Sequence, residues 1–445
     1  MGDRPKIGVA FTSVEGYDLD QNKLEIFEKK AISKLDSMEL EKVYLDFMVK
    51  NDKDSKKANS LFKKENIDLL LIIVGVWTPD STVVSLVNNL RIPILVFTTS
   101  LSIHTVSVNG AQVIVASLKE LGYDFKFVFG NIESPEVHKK IIDYAMAAAI
   151  VKKLKHARIG LLGHTPNIMM SIEVDSFSVK NTFGPTVISL DYYKIDCYLE
   201  KTKNAQIKDR IKEIKNIVGA VNVNDDVLEN SVKYYFAFKQ LIKDLDLDAL
   251  TVNCFPLPYI KGKTCLATSN LNDDGIVAAC EGDVNAAIIM LAFQYINGTA
   301  SLNSDIIIEN QKENALMFSH CGAGPFTCAS DCKDIILDEQ YEIKSGMAVY
   351  YPVKTGGKET TVVNLVGRGS TYRMCILSGV SIPTKELTYH GNPIQIRFNT
   401  GIVDLLNQIG NEGFGHHWMV AYGNHKDIFR EISKLVKLNH VTLID

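Results

Sequence analysis

The chain has 445 residues, of which 46% are apolar, and its 48 basic and 52 acidic side chains give a formal net charge of −4 at pH 7. This length exceeds a single hydrophobic core, so we expect two or three domains, and the near balance of charge argues against nucleic acid as a partner. No apolar run approaches the ~20 residues of a membrane span, no leader precedes the first predicted strand, and the eight cysteines include no CxxC pair. These features predict a cytoplasmic protein with reduced thiols and no membrane partner.

The first third of the chain alternates apolar runs with amphipathic segments. Strands are predicted at 7–11, 43–47, 69–74, 92–97 and 125–129, and helices at 23–35, 55–64, 81–89 and 108–121. Five such steps predict a doubly wound parallel sheet, so residues 1–155 are expected to form a Rossmann-like domain. No GxGxxG or GxxxxGK[ST] motif follows any of its strands, and a dinucleotide or nucleoside triphosphate site is therefore not supported.

A helix predicted from Pro135 to Lys155 leads into a second α/β domain, predicted for residues 156–337. Its strands are predicted at 158–162, 186–190 and 249–255, and its helices at 174–183, 204–217 and 226–243. His164 and Asn253 lie at the ends of the first and the last of these strands. Because the carboxyl ends of parallel strands meet at one edge of a sheet, either side chain could contact a substrate there.

The stretch Gly275–Gly324 holds the densest set of candidate functional residues. An apolar run ends at Glu281, and Asp283 can cap the amphipathic helix that follows. Asp305 comes twenty-four residues after Glu281 (305 − 281), just before a second apolar run, and His320 closes a third. Two acids and a histidine at the ends of consecutive elements predict a hard-metal or acid–base site. The alternative is that the acids are helix caps and the histidine satisfies a local hydrogen bond.

Short alternating runs replace the helix–strand pattern beyond residue 337. Strands are predicted at 348–353, 361–366, 371–377, 394–398 and 441–444, with helices at 402–408 and 426–437. The predicted fold class is therefore α/β, with two doubly wound parallel-sheet domains followed by a small antiparallel β-barrel-like domain, 338–445. Arg368 and Arg373 lie in this last part, where they could recognise an anionic substituent such as phosphate or sulfonate, or form ordinary surface.

Several segments, in the same order along the chain, resemble a known family. CEGDVNAA at 280–287, NSDI at 303–306 and FSHCG at 318–322 are similar to the active-site region of the L-fucose and L-arabinose isomerases. The run Gly415-His416-His417 and the ending VTLID resemble the carboxy end of the arabinose isomerases. The resemblance covers most of the chain, but this chain is shorter than either enzyme and has Asp at 305, as the fucose isomerases do, rather than Glu.

The resemblance implies that Glu281 and Asp305 are the catalytic residues, that they flank the substrate's C1–C2 bond, and that both bind a divalent metal. His417 matches the third metal ligand. Manganese is the expected metal, with cobalt or magnesium as alternatives. His320 matches a ligand of the arabinose isomerases that the fucose isomerases lack, so a ligand role and a different role for it both stay open.

Four further residues are candidates for substrate contact: Trp77, His164, Asn253 and His416. Each could instead pack against the protein or lie on its surface. The resemblance also implies that a neighbouring subunit's N-terminal domain completes each site, so a homo-oligomer, trimeric or hexameric, is expected, with Trp77 as the residue that reaches into the neighbour's site.

The resemblance implies a metal-dependent aldose–ketose isomerase acting on a pentose, a 6-deoxyhexose or a 6-substituted hexose, and the chemistry of these residues is consistent with it. Such an enzyme moves a proton between adjacent carbons through an enediolate, which requires a carboxylate base and a cation to stabilise negative charge on oxygen. Two alternatives stay open. One is a sugar-binding protein on the same scaffold without catalysis, and the other is a different enediolate-type metal enzyme, an epimerase or an aldolase.

Overall fold

The computed structural model describes residues 4–17, 20–255, 263–384 and 390–445. The chain forms two compact units, Asp3–Lys152 and Lys153–Asp445. None of the helices in the described ranges is long and apolar enough to cross a membrane.

The first unit is built on one parallel sheet. Its strands are β1 (Lys6–Thr12), β2 (Glu41–Tyr44), β3 (Leu69–Val74), β4 (Ile94–Thr98) and β5 (Phe125–Phe129), and its helices are α1 (Gln21–Asp36), α2 (Asp52–Lys64), α3 (Asp80–Val87), α4 (Ser107–Glu120) and α5 (Pro135–His156), which runs on into the second unit. The strands pair in the order β2-β1-β3-β4-β5, all parallel, which confirms the predicted parallel sheet. Helices α2, α3 and α4 cover one face through Phe62, Leu86 and Ile114. Every residue of the central strand β3 is buried, as its continuous apolar sequence predicts.

A second parallel sheet opens the second unit. Its elements are β6 (Arg158–Leu162), α6 (Ser176–Thr182), β7 (Thr186–Leu190), α7 (Tyr192–Lys201), α8 (Asn204–Ile217), β8 (Ala220–Val221), α9 (Asp225–Asp244), β9 (Ala249–Val252), α10 (Cys265–Asp273), β10 (Val277–Cys280) and α11 (Val284–Asn297). The sheet order is β10-β9-β6-β7, all parallel, while β8 belongs to another sheet. From β6 the chain moves to β7 on one side and later to β9 and β10 on the other. The carboxyl ends of β6 and β9 therefore flank the point where the winding reverses, which is where open α/β sheets bind ligands.

Antiparallel strands form the rest of the second unit. The elements are β11 (Leu302–Asn310), β12 (Ala315–Ser319), β13 (Ile336–Asp338), β14 (Ala348–Tyr350), β15 (Glu359–Val366), β16 (Arg373–Ile382), β17 (Ile394–Arg397), α12 (Ile402–Glu412), β18 (His417–Tyr422), α13 (Lys426–Leu435) and β19 (His440–Ile444). Strands β15-β18-β11-β12-β17-β16 pair in that order, and β16 pairs back to β15, so the sheet closes into a barrel. Strand β19 is added to β16 in parallel. The closed sheet confirms the predicted barrel-like fold.

The membership of this barrel differs from the prediction. Residues 302–319 are predicted to belong to the second α/β domain, whereas β11 and β12 are barrel strands in the structure. The predicted strand 348–353 is instead the short β14, which pairs with β13 next to β8. In β11, Leu302, Ser304 and Ile306 lie on one face, with Leu302 and Ile306 packed into the barrel core, while Asn303 and Asp305 lie on the opposite face. Asp305 therefore lies within a strand and not ahead of one.

Candidate active site

Glu281 lies directly after β10, in a turn of unusual backbone conformation. Its φ of 63° is in the left-handed region, which is uncommon for a residue with a side chain, and Gly282 follows with a φ of 71°. A Cβ at Gly282 would come within 2.9 Å of the carbonyl oxygen of His164, so only glycine fits between the ends of β10 and β6. Strained backbone of this kind concentrates at functional sites. The turn leaves the Glu281 side chain almost fully buried, with 10% of it exposed.

Three histidines surround the Glu281 carboxylate. Its Oε2 lies 3.2 Å from His417 Nε2 and 3.4 Å from His416 Nε2, and its Oε1 lies 4.0 Å from His320 Nε2. Burial by itself would raise the pKa of Glu281, but the imidazoles of His416 and His417 outweigh it and hold the pKa well below its usual range. Glu281 is therefore ionised at neutral pH.

Asp283 makes two contacts, one with the first turn of α11 and one with His417. Its Oδ1 accepts a hydrogen bond of 3.0 Å from the backbone N–H of Ala286, which makes Asp283 the N-cap of α11, as predicted. Its Oδ2 lies 2.8 Å from His417 Nδ1 and accepts the proton of that nitrogen. The second contact is absent from the sequence analysis. It keeps a proton on Nδ1 and turns Nε2 toward Glu281. Burial lowers the pKa of His417, but Asp283 and Glu281 outweigh it and raise the pKa well above its usual value, so Nε2 also carries a proton that a bound cation would displace.

Asp305 reaches the same place from the barrel. On β11 it lies directly opposite His417 of β18, so the two side chains project from the same face of the sheet. On its other side it lies opposite Ser319, the residue before His320. Asp305, His320 and His417 each offer a ligand atom within 4.8 Å of the other two, and Glu281, His416 and His417 form a second such group. His417 belongs to both groups.

Three polar atoms at this junction are buried without a hydrogen-bond partner among the described residues: Asp305 Oδ1, His320 Nε2 and His417 Nε2. Each costs free energy on the order of 1–3 kcal/mol if nothing binds it, so their convergence indicates a site built for a ligand. Two carboxylates and one imidazole suit a hard or borderline divalent cation, and the Asp283–His417 hydrogen bond would orient the imidazole that binds it. Glu281, Asp305 and His417 could hold this cation. Neither Glu281 nor Asp305 caps a helix, which removes the alternative that they serve as caps.

His320 differs from His417 in the nitrogen that carries the proton. Its Nδ1 accepts a hydrogen bond of 2.9 Å from the backbone N–H of Cys321, so the neutral ring has its proton on Nε2. Burial lowers the pKa of His320, while Cys321 and the nearby carboxylates raise it, to about 9. In the neutral and in the protonated ring alike, Nε2 carries a proton. At this orientation His320 offers the site a hydrogen-bond donor rather than a lone pair.

The remaining predicted residues are placed as follows. His416 is partly exposed beside His417, with ring centroids 4.0 Å apart, and faces Glu281 from the open side. His164 lies just after the end of β6. Its side chain is 71% exposed, and its Nε2 lies 3.5 Å from Oδ1 of Asp191, which follows β7. Asn253 is buried. Its side-chain Nδ2 donates a hydrogen bond to the Gly163 carbonyl, and its Oδ1 accepts one from the Phe255 N–H.

Trp77 belongs to the first unit, where it is half-buried with its ring centroid 6.0 Å from that of Tyr17. The structure thus brings Glu281, Asp305, His320, His416 and His417 together. The substrate contacts proposed for Trp77, His164 and Asn253 stay predictions.

The two contacts of Asp283 can be separated by mutation. Asp283→Asn is expected to keep most of the helix cap, because asparagine is also a good N-cap, but to weaken binding of the predicted metal by about 10- to 100-fold, because His417 loses its charged acceptor. Asp175→Asn is the matched control, since Asp175 caps α6 by accepting the N–H groups of Phe177 and Ser178. The measurement is manganese affinity by competition with a chelating dye, beside the melting temperature. Equal affinities in the two variants would contradict a positioning role for Asp283.

Comparison with known proteins adds the reaction class. No family model matches the chain. The chain is 22% identical over 331 residues to a sulfoquinovose isomerase of Alkalicoccus urumqiensis, covering 74% of this chain and 73% of that protein. It is 24% identical over 338 residues to a sulfoquinovose isomerase of a Clostridium species, covering 75% of each. These relatives confirm the predicted enzyme class: the chain is an aldose–ketose isomerase.

Solved structures match only weakly. An ABC-transporter solute-binding protein from Actinobacillus succinogenes with bound D-allose is 11% identical, covers 66% of this chain and 92% of its own, and has a TM-score of 0.19. An arabinose-binding protein from Geobacillus stearothermophilus is 10% identical, covers 66% and 89%, and has a TM-score of 0.17. Scores this low support no argument about fold or function.

Proposed function

We propose that this enzyme interconverts sulfoquinovose, a glucose whose C6 carries a sulfonate, with the corresponding 2-ketose, and that the reaction depends on a divalent cation. The observation that carries the proposal is that His417 lies within 4.8 Å of ligand atoms of Glu281 in one group and of Asp305 in another, with buried unpartnered atoms on Asp305 and His417, in a chain whose relatives are sulfoquinovose isomerases. Manganese is the cation we expect, with cobalt or magnesium as alternatives.

The two carboxylates supply the proton transfer. Glu281 projects from the end of β10 and Asp305 from the barrel strand β11, so a sugar chain lying between them would have one carboxylate on each side. One carboxylate takes the proton from C2 of the aldose and the proton is returned at C1, while the hydroxyl proton of O2 passes to O1, which gives the ketose. Burial raises the pKa of Glu281, but the imidazoles of His416 and His417 outweigh it and keep the carboxylate ionised, as a metal ligand or a base must be. A divalent cation held by Glu281, Asp305 and His417 would stabilise the negative charge that develops on O1 and O2.

The histidines would then have different tasks. His417, with Nδ1–H held by Asp283, would bind the cation through Nε2. His320 directs an Nε2–H into the same space and could donate to a sugar oxygen as charge develops there. His416 lies on the open side, where it could hydrogen-bond a hydroxyl group further along the sugar.

Dialysis against a chelator is expected to abolish the conversion of sulfoquinovose to its ketose, and manganese is expected to restore it better than zinc or calcium. The physical reason is that the proton at C2 is too weakly acidic to be removed unless the charge on the oxygens is stabilised. The measurement is product formation by proton and carbon NMR, which also distinguishes a 2-ketose from an epimer or an aldol cleavage product. Full activity in the chelator-treated protein would reject the metal-dependent reaction. Binding of sulfoquinovose without turnover would instead support a sugar-binding protein without catalysis.

A further inference from the structure

The turn between β15 and β16 lies against the first turn of α11. The Asn285 side-chain amide donates a hydrogen bond of 3.1 Å to the Gly367 carbonyl, and Asn285 is two residues from Asp283. Gly367 has a φ of 99°, and a Cβ there would clash with the backbone carbonyl of Thr371. The Thr371 hydroxyl closes the turn, since it donates to the Arg368 carbonyl at 2.7 Å and accepts the Arg368 N–H at 3.2 Å. The backbone that carries Arg368 is therefore held close to the start of α11, which follows the turn at Glu281 and Gly282.

The Arg368 guanidinium is held in place but not neutralised. Nη1 donates to the carbonyl oxygens of Glu173 and Met170 at 3.3 and 3.5 Å, on the chain segment that follows β6. Among the described residues no carboxylate forms an ion pair with Arg368, and its side chain is exposed. Arg373 makes a useful contrast, because its guanidinium is engaged by the carbonyl oxygens of Gly413 and Thr371. Arg368 keeps donors available for a ligand, and Arg373 has its main donors occupied.

Tyr372, just after this turn, packs on the same part of the second unit. Its phenol lies 3.1 Å from the Ser178 hydroxyl, and its ring centroid lies 5.0 Å from that of Phe183 in an edge-to-face arrangement. Arg368 is accordingly a cationic group held beside the chain segment that follows the carboxyl end of β6.

We infer that Arg368 binds the anionic group at C6 of the substrate and selects sulfonated sugars over neutral ones. The inference rests on the proposed function, because C1 and C2 must lie between Glu281 and Asp305. The sulfonate is then at the far end of the open chain, and the two carboxylates would repel it from the centre of the site. A guanidinium at the rim, already oriented by two carbonyl groups, matches the oxygens of a sulfonate with parallel N–H donors.

The test compares sulfoquinovose with 6-deoxyglucose, which lacks only the sulfonate. Arg368→Gln is expected to lower kcat/KM for sulfoquinovose by about 10- to 100-fold, the usual value of a charge-assisted hydrogen bond, mainly through KM. The same variant is expected to change kcat/KM for 6-deoxyglucose by less than about threefold, since surface substitutions without such a contact have small effects. Arg368→Lys should recover part of the loss in kcat/KM, because lysine restores the positive charge but not the parallel N–H donors of the guanidinium.

Arg158→Gln is the matched control. The Arg158 guanidinium also donates to backbone carbonyls, those of Leu245 and Asp246, but it lies at the start of β6, the opposite end of the sheet from the site. It should leave the ratio of the two kcat/KM values unchanged. Equal losses on both sugars in Arg368→Gln, or no loss on either, would overturn the inference while the proposed function stands. A parent enzyme that does not convert sulfoquinovose at all would overturn the proposed function and the inference with it.

Discussion

Glu281→Gln and Asp305→Asn are each expected to lower kcat by at least about 10²–10⁴-fold, the usual contribution of a positioned acid or base, with further loss from weaker metal binding. Both changes are nearly isosteric, so packing should change little. Each removes a negative charge that faces the proposed cation and a basic oxygen needed to move the proton. We therefore expect near-complete loss of turnover in a protein that stays folded.

The measurement is kcat beside the melting temperature, for both variants under saturating manganese. Asp175→Asn again serves as a control, since it alters an acid of the second unit that only caps a helix. A capping acid converted to its amide should cost at most about 1 kcal/mol of stability and leave turnover alone. If Glu281→Gln or Asp305→Asn melts lower but turns over within about tenfold of the parent, well short of the acid–base loss, that residue does not take part in the chemistry.

The positions of Glu281 and Asp283 could be predicted because their signals are local. An apolar strand, a glycine and a capping residue follow one another within a few positions, and each leaves a mark in the sequence. The hydrogen bond from His417 to Asp283 leaves no such mark. The two residues are 134 apart in sequence, and only the closure of the barrel brings β18 next to β11 and the end of β10. The family resemblance therefore predicts His417, whereas no local pattern predicts its hydrogen bond with Asp283.

Burial explains the elements that the sequence analysis missed or misplaced. Helix α10 was not predicted because Cys265–Asn272 are all buried, so the segment lacks the one-sided apolar period by which helices are usually found. Strand β11 has an apolar run, Ile306–Ile308, that resembles a strand of a parallel sheet. Only the pairing of Leu302 with Val420 and of Asp305 with His417 makes it a barrel strand, and pairing partners so distant in sequence cannot be derived from local pattern.

The largest loss expected from a single histidine is at His417. His417→Gln is expected to lose the bound metal and with it at least about 10³-fold in kcat, because the cation is worth several kcal/mol of charge stabilisation in the transition state. Only His417, among the three histidines around Glu281, has its Nδ1 proton held by a buried carboxylate, which leaves Nε2 free to coordinate.

His320→Gln separates a ligand from a hydrogen-bond donor. Since Cys321 N–H occupies Nδ1 of His320, its Nε2 carries the proton, and the variant should keep its metal while kcat falls by about 10²–10³-fold, as when an oxyanion donor is removed. Metal content after desalting, measured beside kcat for both variants, decides the matter. If His320→Gln also loses its metal, the ring must turn or release its proton when the cation binds, and His320 would be a fourth ligand, as in the arabinose isomerases. Retention of metal by His417→Gln would instead remove His417 from the site and leave its buried contact with Asp283 as a purely structural one.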